Sequence, residues 1–138
     1  SSIVSYDLDA AVRDAMRMSP RWLIVGEMRD GKAIKALLDA QMSDHPGLST
    51  FHAEGPNAMI KRMCLKMSVD EKIDNRSAKE MITEAIDVVA QVGFVDGKRA
   101  MIGAWEVEKT LKAGDVQFRQ LYAHGDQEIL PVSIERRV

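Results

Sequence analysis

Residues 21–30, Arg21-Trp22-Leu23-Ile24-Val25-Gly26-Glu27-Met28-Arg29-Asp30, are the segment on which the architecture turns. Trp22 to Val25 is a short apolar run rich in β-branched residues. Such a run predicts a strand buried on both faces, as in a parallel sheet with helices on either side. It ends at Gly26, and Glu27 follows at once, with Arg29 and Asp30 close behind. Ligands of open α/β sheets sit at the carboxyl ends of strands, so an acid here stands where chemistry is expected. The plainer alternative is that Glu27 opens a loop and caps the next helix.

Upstream, Leu8, Ala11, Val12, Ala15 and Met16 recur at spacings of three and four, which predicts a helix from Asp7 that Ser19-Pro20 stops. Ser1 to Val4 carry no start signal, as though the chain entered in mid-architecture. Downstream, Asp30 is a good N-cap for a helix with Ile34, Leu37, Leu38 and Met42 on its apolar stripe. Ser43 to Gly47 is rich in turn formers. Leu48 to Phe51 then reads as a second strand, with His52-Ala53-Glu54 at its carboxyl end. Gly55-Pro56 opens a helix whose apolar face is Met59, Ile60, Met63 and Met67. Ser77 to Glu80 has the spacing of a capping box and starts a short helix with Met81, Ile82 and Ala85 inward. Strand followed by helix, twice over, argues for an α/β fold with a largely parallel sheet.

The pattern changes after Ile86. Val88, Ala90, Val92 and Phe94 alternate, Asp96-Gly97 makes a hairpin turn, and Met101, Gly103, Trp105 and Val107 alternate on the return. Ala113-Gly114-Asp115 turns the chain again, and Val116 to Tyr122 reads as a third strand. The expected organisation is therefore a βα core over residues 1–85, an antiparallel β meander over 86–126, and a mixed tail over 127–138.

The chain has 138 residues, 46% of them hydrophobic, enough for one domain's core or for part of a larger domain. Nineteen basic residues face 21 acidic ones, and this balance gives no expectation of direct nucleic-acid binding. One cysteine, Cys64, excludes an internal disulfide and a multi-cysteine zinc site, which points to a reducing, cytosolic setting. No apolar run approaches the roughly 20 residues that cross a bilayer.

Two strand ends carry polar groups, Glu27 with Arg29 on one and Thr50 with His52 on the other. In a parallel sheet both ends lie on one edge, so the four can converge. Phosphoryl transfer needs such a set, with a carboxylate to orient or deprotonate water and a hydroxyl or imidazole to sense the terminal phosphate. A structural role for a lone histidine remains the alternative. His52-x-Glu54 is similar to the ligand-plus-acid arrangement of zinc deaminases, but one cysteine cannot supply their paired-cysteine motif. No G-x-S-x-G elbow is present for a serine hydrolase. Lys61-Arg62 and Lys79 read as solvated positions, and the nine methionines as core or interface packing. There is no G-x-x-x-x-G-K-[ST] loop to cradle phosphates.

Ala10 to Asp30 resembles the Walker B region of the type II/type IV secretion ATPases, the motors of conjugation, secretion and pilus assembly. Arg13 to Pro20 matches that family's helix end, and Gly26-Glu27-Met28-Arg29 its G-E-x-R. Residues from His45 to Pro56 resemble its histidine box, in the family's order and spacing. Ile86 to Val92, Asp96 to Arg99 and Trp105 to Val107 are similar to its closing meander, so the resemblance spans residues 8–122. Ser43-Asp44 stands where the family has Thr-Gly, and Glu54-Gly55 where it has Asn-Ser.

The resemblance implies a partial RecA-like P-loop NTPase core followed by a β meander, with the phosphate-binding loop lying before Ser1. It implies ATP and Mg2+ as cofactors, Glu27 as the catalytic glutamate acting on water near Mg2+, and His52 as a γ-phosphate sensor. Gly26, Arg29 and Thr50 would support them. It further implies a hexameric ring in the complete protein, at the cytoplasmic face of the inner membrane with the secretion or pilus machinery. Two other readings stand beside it: an interaction module that kept the fold without catalysis, and a RecA-like motor acting on nucleic acid.

Overall fold

The computed structural model describes residues 7–133 and begins with helix α1, Leu8–Met16. Asp7 caps it by accepting the Ala10 amide at 3.2 Å, and Val12 points into the core. Strand β1 is Leu23–Val25, helix α2 Gly31–Met42, and strand β2 Gly47–Ser49. β1 and β2 pair in parallel, with Leu23 opposite Gly47, Ile24 opposite Leu48 and Val25 opposite Ser49. Helix α3 is Pro56–Glu71, with its proline in the first turn, and helix α4 is Asn75–Ala85.

Helix α2 is the centre of the core. Ile34, Leu37 and Leu38 are at most 1% exposed, and the helix lies against α1, α3 and α4. From α3 come Met59, Ile60, Met63, Cys64 and Met67, the face expected from the spacing with Cys64 added. Burying each such side chain contributes about 1.5–3 kcal/mol. The methionines therefore act as core packing.

The structure differs from the sequence reading at several points. β1 is not buried on both faces: Leu23 and Val25 are buried, whereas Trp22 and Ile24 are 62% and 70% exposed. Leu23 and Val25 join the helical core on one face of the β1–β2 pair, and Ile24 and Leu48 lie side by side on the other. β2 ends at Ser49, so Thr50 and Phe51 belong to the following loop. Helix α4 is capped by Asp74, not Ser77. Asp74 accepts the Ser77 amide at 3.0 Å and its hydroxyl at 2.7 Å, and Glu80 pairs with Arg76.

The meander follows as β3 (Val88–Val95), β4 (Lys98–Val107) and β5 (Phe118–Ala123), antiparallel in that order. Asp96 and Gly97 both take positive φ, 51° and 77°, the conformation a tight two-residue hairpin needs. Val89, Val107, Val116 and Phe118 join the helical core, so helices and meander share one hydrophobic interior. The alternating apolar set of β3 faces the other way: Val88, Val92 and Phe94 are 45%, 73% and 70% exposed. The beginning of the tail runs back along the sheet, where the Leu130 amide donates to the Leu121 carbonyl. It is anchored at Glu106, which is 1% exposed and accepts from Arg119 and from the amide and hydroxyl of Ser133. The expectations for Ser1 to Val4 and for residues 134–138 lie outside the described residues.

Candidate active site

The loop after β1 is organised by Met28. Its side chain is 7% exposed and packs into the core, so the residues on either side of it, Glu27 and Arg29, face outward. The Met28 amide donates to the Thr50 carbonyl at 3.0 Å, and the Thr50 hydroxyl donates to the Gly26 carbonyl. Parallel pairing ends at Val25 and Ser49, and these two bonds carry the connection beyond it. The two strand ends are thereby held together.

On that frame Glu27 meets two of its three sequence-predicted companions, Arg29 and His52. Its Oε2 accepts from Arg29 Nε at 2.8 Å, and its Oε1 lies 2.9 Å from His52 Nε2. Glu27 is about one quarter exposed, whereas Arg29 and His52 are 81% and 86% exposed. The hydrogen bond from Arg29 is the main cause that holds the Glu27 carboxyl below its ordinary pKa. Burial comes next and opposes it, and the charges of Arg29 and then His52 lower the carboxyl further. The result is an ionised carboxylate with a cationic or donor group on each oxygen. Such a group can hold a water or a hydrated cation, and becomes a proton acceptor when a partner moves aside.

The plainer reading of Glu27 is half correct. Glu27 does open a loop, but the cap of α2 is Asp30, which accepts the Ala33 amide at 2.8 Å. Thr50 is engaged through its hydroxyl in holding the strand ends, and Gly26 has open space where a Cβ would stand. An open cleft of about 510 Å³ lies beside them, lined by Leu8, Gly26, Glu27, Arg29, Asp30 and Ala33. Among the described residues no group of three or more His, Cys, Asp or Glu side chains is placed to hold a metal ion.

Sequence reasoning missed Arg62 and Lys79, which are not merely solvated. Arg62 reaches from α3 to donate to the His52 carbonyl, with its guanidinium 5.6 Å from the Phe51 ring centroid. Lys79 pairs with Asp115 at 3.0 Å, joining α4 to the turn before β5. The ten-residue separation of Arg62 from His52 carries no local signal, because the bond exists only once α3 folds back beside the loop.

The parallel strand pair with its helices is a partial RecA-like core, and the antiparallel meander follows it. Solved structures similar to it include two ATPases. The Legionella pneumophila ATPase DotB aligns with a TM-score of 0.56 at 29% identity, over 70% of this chain and 26% of that one. The VirB11 ATPase of the Brucella suis type IV secretion system, at 22% identity, shares the fold with a TM-score of 0.62 over 71% of this chain and 32% of its own. In sequence, Protein VirB11 of Rhizobium radiobacter is 34% identical over 109 residues, 76% of this chain and 30% of the relative. A family model described as type II/IV secretion system protein matches residues 2–103. The chain belongs to the type II/IV secretion system protein family. It spans about a quarter to a third of the length of these relatives. Among the described residues no helix is long and apolar enough to cross a membrane.

Proposed function

We propose that this chain is the water-activating part of an ATP-hydrolysing motor of a secretion, conjugation or pilus-assembly system. The observation that carries the reading is the 2.9 Å contact between Glu27 and His52, which come from two different strand ends 25 positions apart. In this reading Glu27 orients and deprotonates the attacking water, and His52 senses the terminal phosphate. Arg29 supplies positive charge beside it, while Gly26 and Thr50 hold the strand ends.

The residues present fit one part of an ATP–Mg2+ site and not another. A partly exposed carboxylate between two positive or donor groups, beside an open cleft, suits a phosphate with its hydrated cation. Mg2+ would be held through water on Glu27 and would neutralise charge on the phosphates. The sequence has no G-x-x-x-x-G-K-[ST] loop, so this chain does not supply the phosphate cradle. Before turnover Glu27 is clamped on both oxygens by Arg29 and His52. An arriving anion would draw these groups toward itself and free the carboxylate to take the proton from water. In the complete protein the site would work in a hexameric ring, cytoplasmic and peripheral at the inner membrane, with the secretion or pilus machinery as partner.

The test is Glu27→Gln in the complete protein. Turnover is expected to fall by at least about a hundredfold while ATP binding persists, since a base step contributes about 10²–10⁴-fold. Full activity in that variant would overturn the catalytic reading. It would favour the second one, a non-catalytic assembly module, which the doubly engaged carboxylate also suits.

A further inference from the structure

The imidazole of His52 is 86% exposed, so packing does not place it; the backbone beneath it does. That backbone, from Thr50 to Gly55, is a loop between β2 and α3 without regular structure. Two groups grip it. On one side Thr50 is tied to Gly26 and Met28. On the other, Arg62 donates to the carbonyl of His52 itself and stands over the ring of its neighbour Phe51. Arg62 lies in the second turn of α3, which buried Met59, Met63 and Met67 fasten to the core. Its guanidinium is thus an arm from a packed helix, with Cζ over the ring while an N–H reaches the carbonyl. A lysine could keep one of these contacts, but its single ammonium does not serve the carbonyl and the ring together as the broader guanidinium does.

We infer that Arg62 is a positioning residue for His52, setting the Phe51–His52 segment so that the imidazole reaches Glu27. It acts through His52 and touches neither Glu27 nor a reacting atom. The inference rests on the reading of Glu27 and His52 as the chemical pair, and it concerns how that pair is assembled.

The test that does not depend on turnover is the ring nitrogen spectrum of this chain with 15N-labelled histidine. Glu27→Gln marks where the His52 signals move when the contact is lost. Arg62→Ala is expected to move them the same way, Arg62→Lys by a smaller amount, with His45 and His124 unmoved in both. His52 signals unchanged in Arg62→Ala would overturn the inference. So would a displacement of all three histidines in both variants, because Arg62 would then be holding the fold. In the complete protein, Arg62→Ala is expected to lower kcat about tenfold with KM for ATP nearly unchanged, as misplacement of a catalytic group does. In a His52→Gln background the same change is expected to add nothing, and additive losses would overturn the inference. If His52→Gln alone keeps full turnover, the catalytic reading of His52 fails. The histidine spectra then still decide whether Arg62 places the ring.

Discussion

The Asp70 carboxylate accepts the Gly31 amide at 2.6 Å, so the last turn of α3 caps the first turn of α2. Asp30 caps the same helix end from within the chain, through Ala33. The bond forms because the two helices touch there. A Cβ on Gly31 would lie 2.3 Å from the Lys66 carbonyl oxygen and 2.8 Å from Asp70 Cβ. The helix that starts directly after the Glu27 loop is therefore seated by a missing side chain.

Gly31→Ala is expected to cost about 1–3 kcal/mol, since the obstructing oxygen is backbone and the helices must part. Urea unfolding reads it as a lower midpoint at constant slope. Asp70→Ala should cost about 1 kcal/mol, the usual worth of an N-terminal cap. An unchanged midpoint for Gly31→Ala would mean that α2 and α3 do not approach so closely.

The pairing of Glu27 with Arg29 is testable by pH. The carboxyl's folded-state pKa is depressed, chiefly by the Arg29 hydrogen bond, then by the charges of Arg29 and His52. Its contribution to stability is therefore present above the unfolded value and is lost as the pH falls through the folded one. Carboxylate NMR of the native chain should place the Glu27 midpoint below the ordinary glutamate range. Arg29→Met should raise it, and a midpoint that does not respond would show that Arg29 is not the clamp.

Asp74 behaves in the same direction for a different reason. Its carboxyl is held below the ordinary range first by the Ser77 amide and next by the Ser77 hydroxyl. Acidification through the folded value should fray the first turn of α4, and Asp74→Ala should do so at neutral pH. Hydrogen exchange at the Ser77 amide is the measurement; protection that survives Asp74→Ala would assign the cap elsewhere.

Glu106 holds the tail. Glu106→Ala removes the acceptor of Arg119 Nε and Nη2, each at 3.2 Å, and of the Ser133 amide and hydroxyl at 2.8 and 2.6 Å. Arg119 is 37% exposed and stays solvated, so the loss is expected to cost about 1–3 kcal/mol, the worth of the donors left unsatisfied. The Leu130 amide, bonded to the Leu121 carbonyl, should lose protection with it. If Leu130 stays protected, the tail is held by its backbone bonds and Glu106 is not its anchor.

Local chemistry was legible along the chain. The three- and four-residue spacing of Leu37 and Leu38 or of Met59, Ile60 and Met63 determines a helix face, because the period belongs to the helix itself. Asp7 and Asp30 announce helix starts, and Asp96-Gly97 a hairpin, because caps and tight turns are made by neighbouring residues. Even the meeting of Glu27 with His52 is readable, since two parallel strands deliver their ends to one edge.

The tertiary structure decided everything that depends on which surfaces meet. Alternation along β3 cannot say that Val92 and Phe94 face outward, because the pattern is the same for either face. Nor does the run Trp22 to Val25 disclose that only Leu23 and Val25 join the helical core. Arg62 and Glu106 look like ordinary surface charges in the sequence. One becomes the arm that holds the His52 loop and the other the buried anchor of the tail, through partners distant in the chain. By itself the sequence determined the elements and the edge on which Glu27 and His52 stand, because short-range sterics and hydrogen bonding suffice for those. The faces that are buried and the residues that hold the site in register were settled by packing between segments, which no local pattern encodes.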